Sequence, residues 1–157
     1  MSDRLFVDSP SGPDAAGGNV SPALATRMLP LVARIAVDLQ RAWRAWRDAV
    51  EAYELRALGD GSDTQEARDA LGDVERCAAD VEALRRELRP LGASCPSPRT
   101  ARIEWSTEVD GMAGRLVWYP GDVVIRRWVP GDEPATAVRP LPGHEDPADA
   151  EESDAAR

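Results

Sequence analysis

The sequence predicts an α+β fold: a kinked N-terminal helix, a long antiparallel helical hairpin of coiled-coil-like character, and a small three-stranded antiparallel sheet. Three observations predict it. Apolar residues recur every three or four positions between Leu31 and Leu58, and again between Asp63 and Leu88, with Gly59-Asp60-Gly61-Ser62 between the two runs. Apolar and polar residues alternate from Ala101 to Val109. Two β-type runs follow, Arg115–Tyr119 and Val123–Val129, joined by Pro120-Gly121 and closed by Pro130-Gly131.

Residues 8–19 are rich in Pro, Gly and Ser and read as a flexible lead-in. Helical structure should begin at Ser21-Pro22, where serine caps and proline fills the first helical position without wasting an N–H. Ala23–Met28 forms a short helix that Pro30 breaks or kinks. In the long helix that follows, Val32, Ile35, Leu39, Trp43, Trp46, Val50 and Tyr53 make one stripe. Arg34/Asp38, Arg44/Asp48 and Arg47/Glu51 stand at i,i+4 on the opposite face. Asp63 with Glu66 resembles a capping box opening the second helix, whose stripe runs Leu71, Val74, Ala78, Val81, Leu84 or Arg85, and Leu88, and which ends at Arg89-Pro90. Neither helix can stand alone, so the two stripes face each other or a partner. The Trp43/Trp46 pair at helical spacing belongs to the core or an interface rather than to a cofactor shelf.

Cys95-Pro96-Ser97-Pro98 reads as a connector. In the next run Ile103, Trp105 and Thr107 share one face, and Arg102, Glu104 and Ser106 the other; Asp110-Gly111 is a turn signal. A two-residue turn at Pro120-Gly121 would set Trp118 opposite Val123 and Leu116 opposite Ile125, one apolar face packed on the helices. The other face would hold Val117, Tyr119, Asp122, Val124, Arg126 and Trp128. The domain plan is therefore a disordered segment 1–19, one α+β domain 20–141 (hairpin 22–90, meander 101–130) and an acidic disordered tail 142–157.

Net charge is −9, and residues 131–157 carry eight acids against two arginines, so that end holds −6 of it. An acidic chain without a basic stripe is a poor nucleic-acid binder. All nineteen basic residues are arginine, a bias that points to a GC-rich bacterial genome. Two cysteines without CxxC spacing, no apolar leader and no run of membrane length point to a cytoplasmic protein that does not engage a membrane. Cys77 is expected buried, and Cys95, between turn residues, more exposed and open to oxidation.

No catalytic constellation or metal site is legible. The one histidine, His144, lies in the acidic end without neighbouring ligands. Glu104 and Asp122 offer a weak carboxylate pair, and there is no phosphate loop. The cofactor is unknown.

Two blocks resemble the uncharacterised bacterial domain-of-unknown-function family 2203. One is Ser21–Val32, similar to that family's opening, in which Thr or Ser starts a short helix ending Leu-Pro-Leu-Val. The other is Leu116–Leu141, against a family pattern of Leu-Cys-Trp-Arg-x-Gly-Glu, then Trp-His, then Arg with Pro and an aliphatic residue. Trp118, Gly121, Trp128, Arg139, Pro140 and Leu141 match it, and Ile103-Glu104-Trp105 resembles the family's Val-Asp-Phe. The resemblance spans roughly Val20 to Leu141. It departs at Tyr119, Asp122 and Val129, where the family has Arg, Glu and His, so the scaffold is kept and most of the polar chemistry is lost. It implies no established activity. The function expected is a non-enzymatic interaction or structural module, pairing through the helical hairpin with itself or another protein. The alternative, resting on the resemblance, is a small-ligand or metal-binding domain using Tyr119, Asp122, Arg126, Trp128 and Arg139.

Overall fold

The computed structural model describes residues 18–59, 61–131 and 133–143. The readings of the far N-terminal lead-in, the acidic tail and His144 fall outside those residues.

Helix α1 runs Pro22–Gly59, 38 residues or roughly 57 Å. Ser21 caps it, its Oγ accepting from Leu24 N at 3.2 Å. Of the break or kink expected at Pro30, the break is absent: α1 continues through Pro30 as one helix. Proline removes one helical hydrogen bond. That loss is overridden because Leu29 and Val32, on either side, are both buried in the core. Helix α2 spans Gln65–Leu88. Its cap is Thr64, one residue later than the expected Asp63, and the Thr64 hydroxyl accepts from Ala67 N at 3.2 Å. A short connection joins two long helices packed on each other, which makes them an antiparallel hairpin.

A 3-10 turn, Arg89–Leu91, leads into a five-stranded sheet, not the three strands expected: β1 Ala93–Ser97, β2 Arg102–Val109, β3 Met112–Trp118, β4 Arg127–Pro130 and β5 Arg139–Pro140. Strands lie in sequence order and every pair is antiparallel. The proline-flanked "connector" is thus β1, an edge strand, where proline is tolerated because its missing N–H faces no neighbour. Asp110 and Gly111 both take positive φ, 52° and 77°, in the β2–β3 turn, the requirement of a type I′ hairpin.

The β3–β4 register differs from expectation by three residues. Leu116 pairs with Trp128, not Ile125, and Val117 with Arg127. An odd shift exchanges the two faces of a strand, so Trp128 joins the core instead of the polar face. The cause is a closed loop after Trp118. Its indole donates to Asp122 O at 2.7 Å, Asp122 N donates to Tyr119 O at 3.0 Å, and Ile125 N donates to Thr26 Oγ1 on α1 at 3.2 Å. Backbone groups that a tight hairpin would have used are therefore already spent.

One core lies between the sheet and the inner half of the hairpin. It joins Ala25, Leu29, Val32, Ile35, Ala36 and Leu39 of α1 and Val81 and Leu88 of α2 to Ile103, Trp105, Leu116, Trp118 and Trp128 of the sheet. Gly114 lets this layer close. A Cβ there would stand 2.6 Å from Val129 O and 2.8 Å from the Trp128 ring, so Trp128 lies directly on the Gly114 backbone. The outer half of the hairpin, from about Arg41 to Asp80, lies beyond this core. Its buried residues are Trp46 on α1 and Ala67, Ala70 and Val74 on α2, none of them in the sheet's cluster.

Candidate functional site

The core-facing side of the sheet is apolar, so recognition chemistry concentrates on its outer face. Strand alternation places Arg102 and Glu104 of β2, Arg115 and Val117 of β3, and Arg127 and Val129 of β4 on that face. Arg102 and Glu104 share the face opposite Ile103 and Trp105, as the alternation has it, and both are nevertheless buried. The reason is the β4–β5 connection, of which Gly131 and residues 133–138 are described and cross the face as a strap. Arg102 Nη1 donates to Ala135 O and Arg115 Nη2 to Glu133 O, the latter at 2.9 Å. Under the strap Glu104 is 3% exposed and Val117 and Val129 are fully enclosed.

Glu104 sits between two guanidinium groups, with Arg102 Nη2 2.7 Å from Oε1 and Arg115 Nε 3.2 Å from Oε2. These are ion-pair distances without hydrogen-bond alignment: Arg102 Nη2, Arg115 Nε and Glu104 Oε1 have no hydrogen-bond partner among the described residues, nor has Arg102 Nε. Beside the pair, the Tyr119 ring stands between Arg102 and Arg127, whose guanidinium carbons are 5.9 and 5.7 Å from its centroid, within the range of cation–π attraction. Asp122 Oδ2 accepts from Tyr119 N at 3.3 Å and from Arg127 Nη1 at 3.1 Å.

The expected ligand set is thus divided. Tyr119 and Asp122 stand together, but their arginine is Arg127; Arg126 is solvent-exposed and its carbonyl accepts from Leu141 N at 2.8 Å. Trp128 is on the core side. Arg139 holds both oxygens of Glu133 at 2.8 Å, at the root of the strap. Sequence reasoning missed Arg102, Arg115 and Arg127, because only the strap and the true register bring them to one surface. Their alternation with Glu104, Val117 and Val129 was the available signal. The three positions departing from the family pattern, Tyr119, Asp122 and Val129, do gather here, with Val129 directly opposite Arg115. Glu104 and Asp122 do not act as a pair, since different arginines take them.

Cys95 corrects another expectation. It is buried, while Cys77 is partly exposed. Burial pushes the Cys95 thiol up to about 12, against the pull of Arg85's charge, so it stays protonated and unreactive near neutrality. Among the described residues no three His, Cys, Asp or Glu side chains gather as a metal site would require, and no helix is long and apolar enough to cross a membrane.

The outer half of the hairpin is the second candidate surface. The α1 stripe continues there through Trp43, Val50, Tyr53 and Ala57, all only half-buried. Leu55 is 67%, Leu58 85% and Leu71 40% exposed. Arg47 lies over the Trp43 ring, 5.3 Å from its centroid.

Comparison with curated proteins and with solved structures returned no match. A family model does match, over residues 21–141, most of the described fold from the Ser21 cap to the end of the sheet. On that match the chain belongs to the uncharacterized conserved protein family DUF2203.

Proposed function

We propose that this protein is a non-enzymatic interaction module that works through the outer half of its helical hairpin, pairing with a second copy in a coiled-coil-like arrangement. One observation carries the reading: the apolar stripe buried in the inner half continues into the outer half through Trp43, Val50, Tyr53 and Ala57, all only half-buried, and leucines 55, 58 and 71 stand exposed on the same half of the hairpin. Two helices alone cover only one side of each other, and a second hairpin supplies the missing layer. Charge supports the choice of partner. Helix α1 carries six arginines against four acids, and α2 seven acids against four arginines. A two-fold pairing that sets each α1 beside the other copy's α2 matches those signs. Two free cysteines fit a reducing, cytoplasmic setting.

Sedimentation equilibrium of Leu55→Ser/Leu58→Ser/Leu71→Ser beside the wild type tests this. The reading requires weaker association in the variant at unchanged thermal stability. Equal association of the two proteins contradicts it.

A second reading, a ligand-binding sheet face around Tyr119, Asp122, Arg126, Trp128 and Arg139, gains support from one feature. Three arginines, Arg102, Arg115 and Arg127, gather on the outer face around the carboxylates of Glu104 and Asp122.

A further inference from the structure

We propose that two copies meet through the back of the helical hairpin, the side turned away from the sheet, with their turns at the same end and each α1 antiparallel to the other copy's α2. This rests on the reading that two copies pair, and adds the face they share, its direction and the charges that select it.

Two hydrogen bonds mark the sheet side and so define the back. Arg85 of α2 donates to Cys95 O of β1 at 3.2 Å, and Thr26 of α1 accepts from Ile125 N. On α2, Cys77 and Leu84 lie on the other flank of the buried line Val74, Val81, Leu88 from Arg85, and both are half-buried. On α1, helical spacing puts Leu24 and Leu31 far round from Thr26, and they are 46% and 48% exposed. Beyond Asp38 the same seven-residue step reaches Ala45 and Ala52, side chains small enough for another helix to approach. The back is thus an apolar seam running the length of the hairpin.

A line of charge flanks the seam on each helix. On α1 it is Arg27, Arg34 and Arg41; on α2 it is Glu66, Asp73, Asp80 and Glu87, all exposed and all at seven-residue steps. Such flanking lines set partner and direction where helices pair. Arg27, Arg34, Glu66, Asp80 and Glu87 have no ion-pair partner among the described residues. Arg41 and Asp73 are held only by exposed neighbours on their own helices, Asp38 and Arg76. No ion pair therefore joins the two lines within one chain.

A second copy supplies the complement in one orientation. With the turns at the same end, the two-fold axis runs along the hairpins and lays α1 of each copy on α2 of the other. Counting back equally from Gly59 and Gln65 brings Arg34 within one turn of Glu87, and Arg41 within one turn of Asp80, of the second copy. Asp48, which interrupts the arginine line, comes level with Arg76. With the turns at opposite ends, the arginine lines would face each other, and so would the acid lines. Back-to-back packing also leaves both sheets on the outside, clear of the contact.

The test is charge reversal in the full-length protein, read by sedimentation equilibrium and native mass spectrometry. Arg34→Glu/Arg41→Glu reverses one line and Asp80→Arg/Glu87→Arg the other, all four side chains being exposed. Each variant alone should associate about tenfold more weakly than the wild type, because like charges then meet at every copy of the contact. An equimolar mixture should recover wild-type association as a one-to-one heterodimer, since each reversed line then meets the other and each native line its native complement. Should a double variant fail to fold, Arg34→Glu and Glu87→Arg replace the pair in the same mixture. Weakening of both variants without recovery in the mixture overturns the proposal, and so does association equal to the wild type in both. If the leucine variant described above is weakened while these are not, the pairing of copies stands and only its face and direction fall. A wild type that is monomeric throughout overturns the pairing itself.

Discussion

Between Ala25 and Leu39 the stripe of α1 lies against the sheet, and Ala25, Leu29, Val32, Ile35, Ala36 and Leu39 are all buried; between Trp43 and Ala57 the same spacing continues, and only Trp46 is. The two halves of one helix thus carry the same pattern and meet different surroundings. Helical periodicity fixes which way a stripe points. What covers it depends on how far the neighbouring layer reaches, and here the sheet ends before the hairpin does. An apolar stripe that outruns its cover marks the contact surface proposed above.

Substitutions of equal chemistry on the two halves should break this symmetry most visibly. Leu39→Ala, at a fully buried inner position, should cost about 3 kcal/mol in chemical denaturation, the lost transfer energy plus a cavity. Leu58→Ala in the outer half should change stability by less than about 0.5 kcal/mol. Similar losses at both sites would erase the distinction. Next in size is Gly114→Ala. With backbone and Trp128 ring atoms inside 3 Å of the new Cβ, overpacking should cost about 2 kcal/mol, read as a lowered denaturant midpoint.

The two cysteines sharpen the same contrast. Cys77, on the outer half of α2, should react with a thiol reagent in the native protein, and Cys95 only on unfolding. Because the folded thiol of Cys95 titrates at about 12 and an ordinary one at 9.0, the native state holds its proton to higher pH than the unfolded chain. Its contribution is full below the unfolded value and is lost as pH rises from there towards 12. Raising pH from about 8 to about 10 should therefore destabilise the wild type by roughly 1 kcal/mol more than Cys95→Ala. Equal losses would mean the thiol is not shielded.

The last expected effect is a gain. Thr107 Oγ1 is buried on the core side without a hydrogen-bond partner among the described residues. Thr107→Val removes the stranded hydroxyl at constant shape and should stabilise by about 1 kcal/mol in the same assay. Destabilisation instead would reveal a partner for that hydroxyl.

How far the sequence foretold this molecule follows from which signals are local. The Ser21-Pro22 start, both helical stripes, the alternation of β2 and the Asp110-Gly111 turn rest on short-range rules, and all appear in the structure. Strand β1 was hidden because Pro96 within it and Pro98 just after it argue against a strand, and edge position, a tertiary fact, removes that objection. Strand β5 has two residues, too few for any period. The β3–β4 register turned on where Trp118 Nε1 and Ile125 N find acceptors, one in the loop and one on α1, which no local pattern reveals. The same holds for the outer face. Tyr119 and Asp122 were visible, but Arg102, Glu104 and Arg115 became one cluster only because an aperiodic strap folds across them.

The central claim is that the outer half of the hairpin joins two copies of this chain. Native mass spectrometry of the full-length protein over a concentration series, with and without a chelator, tests it most directly. The account predicts a dimer of unmodified chain mass that weakens with the three leucine substitutions and is indifferent to the chelator. A monomer at every concentration would contradict it.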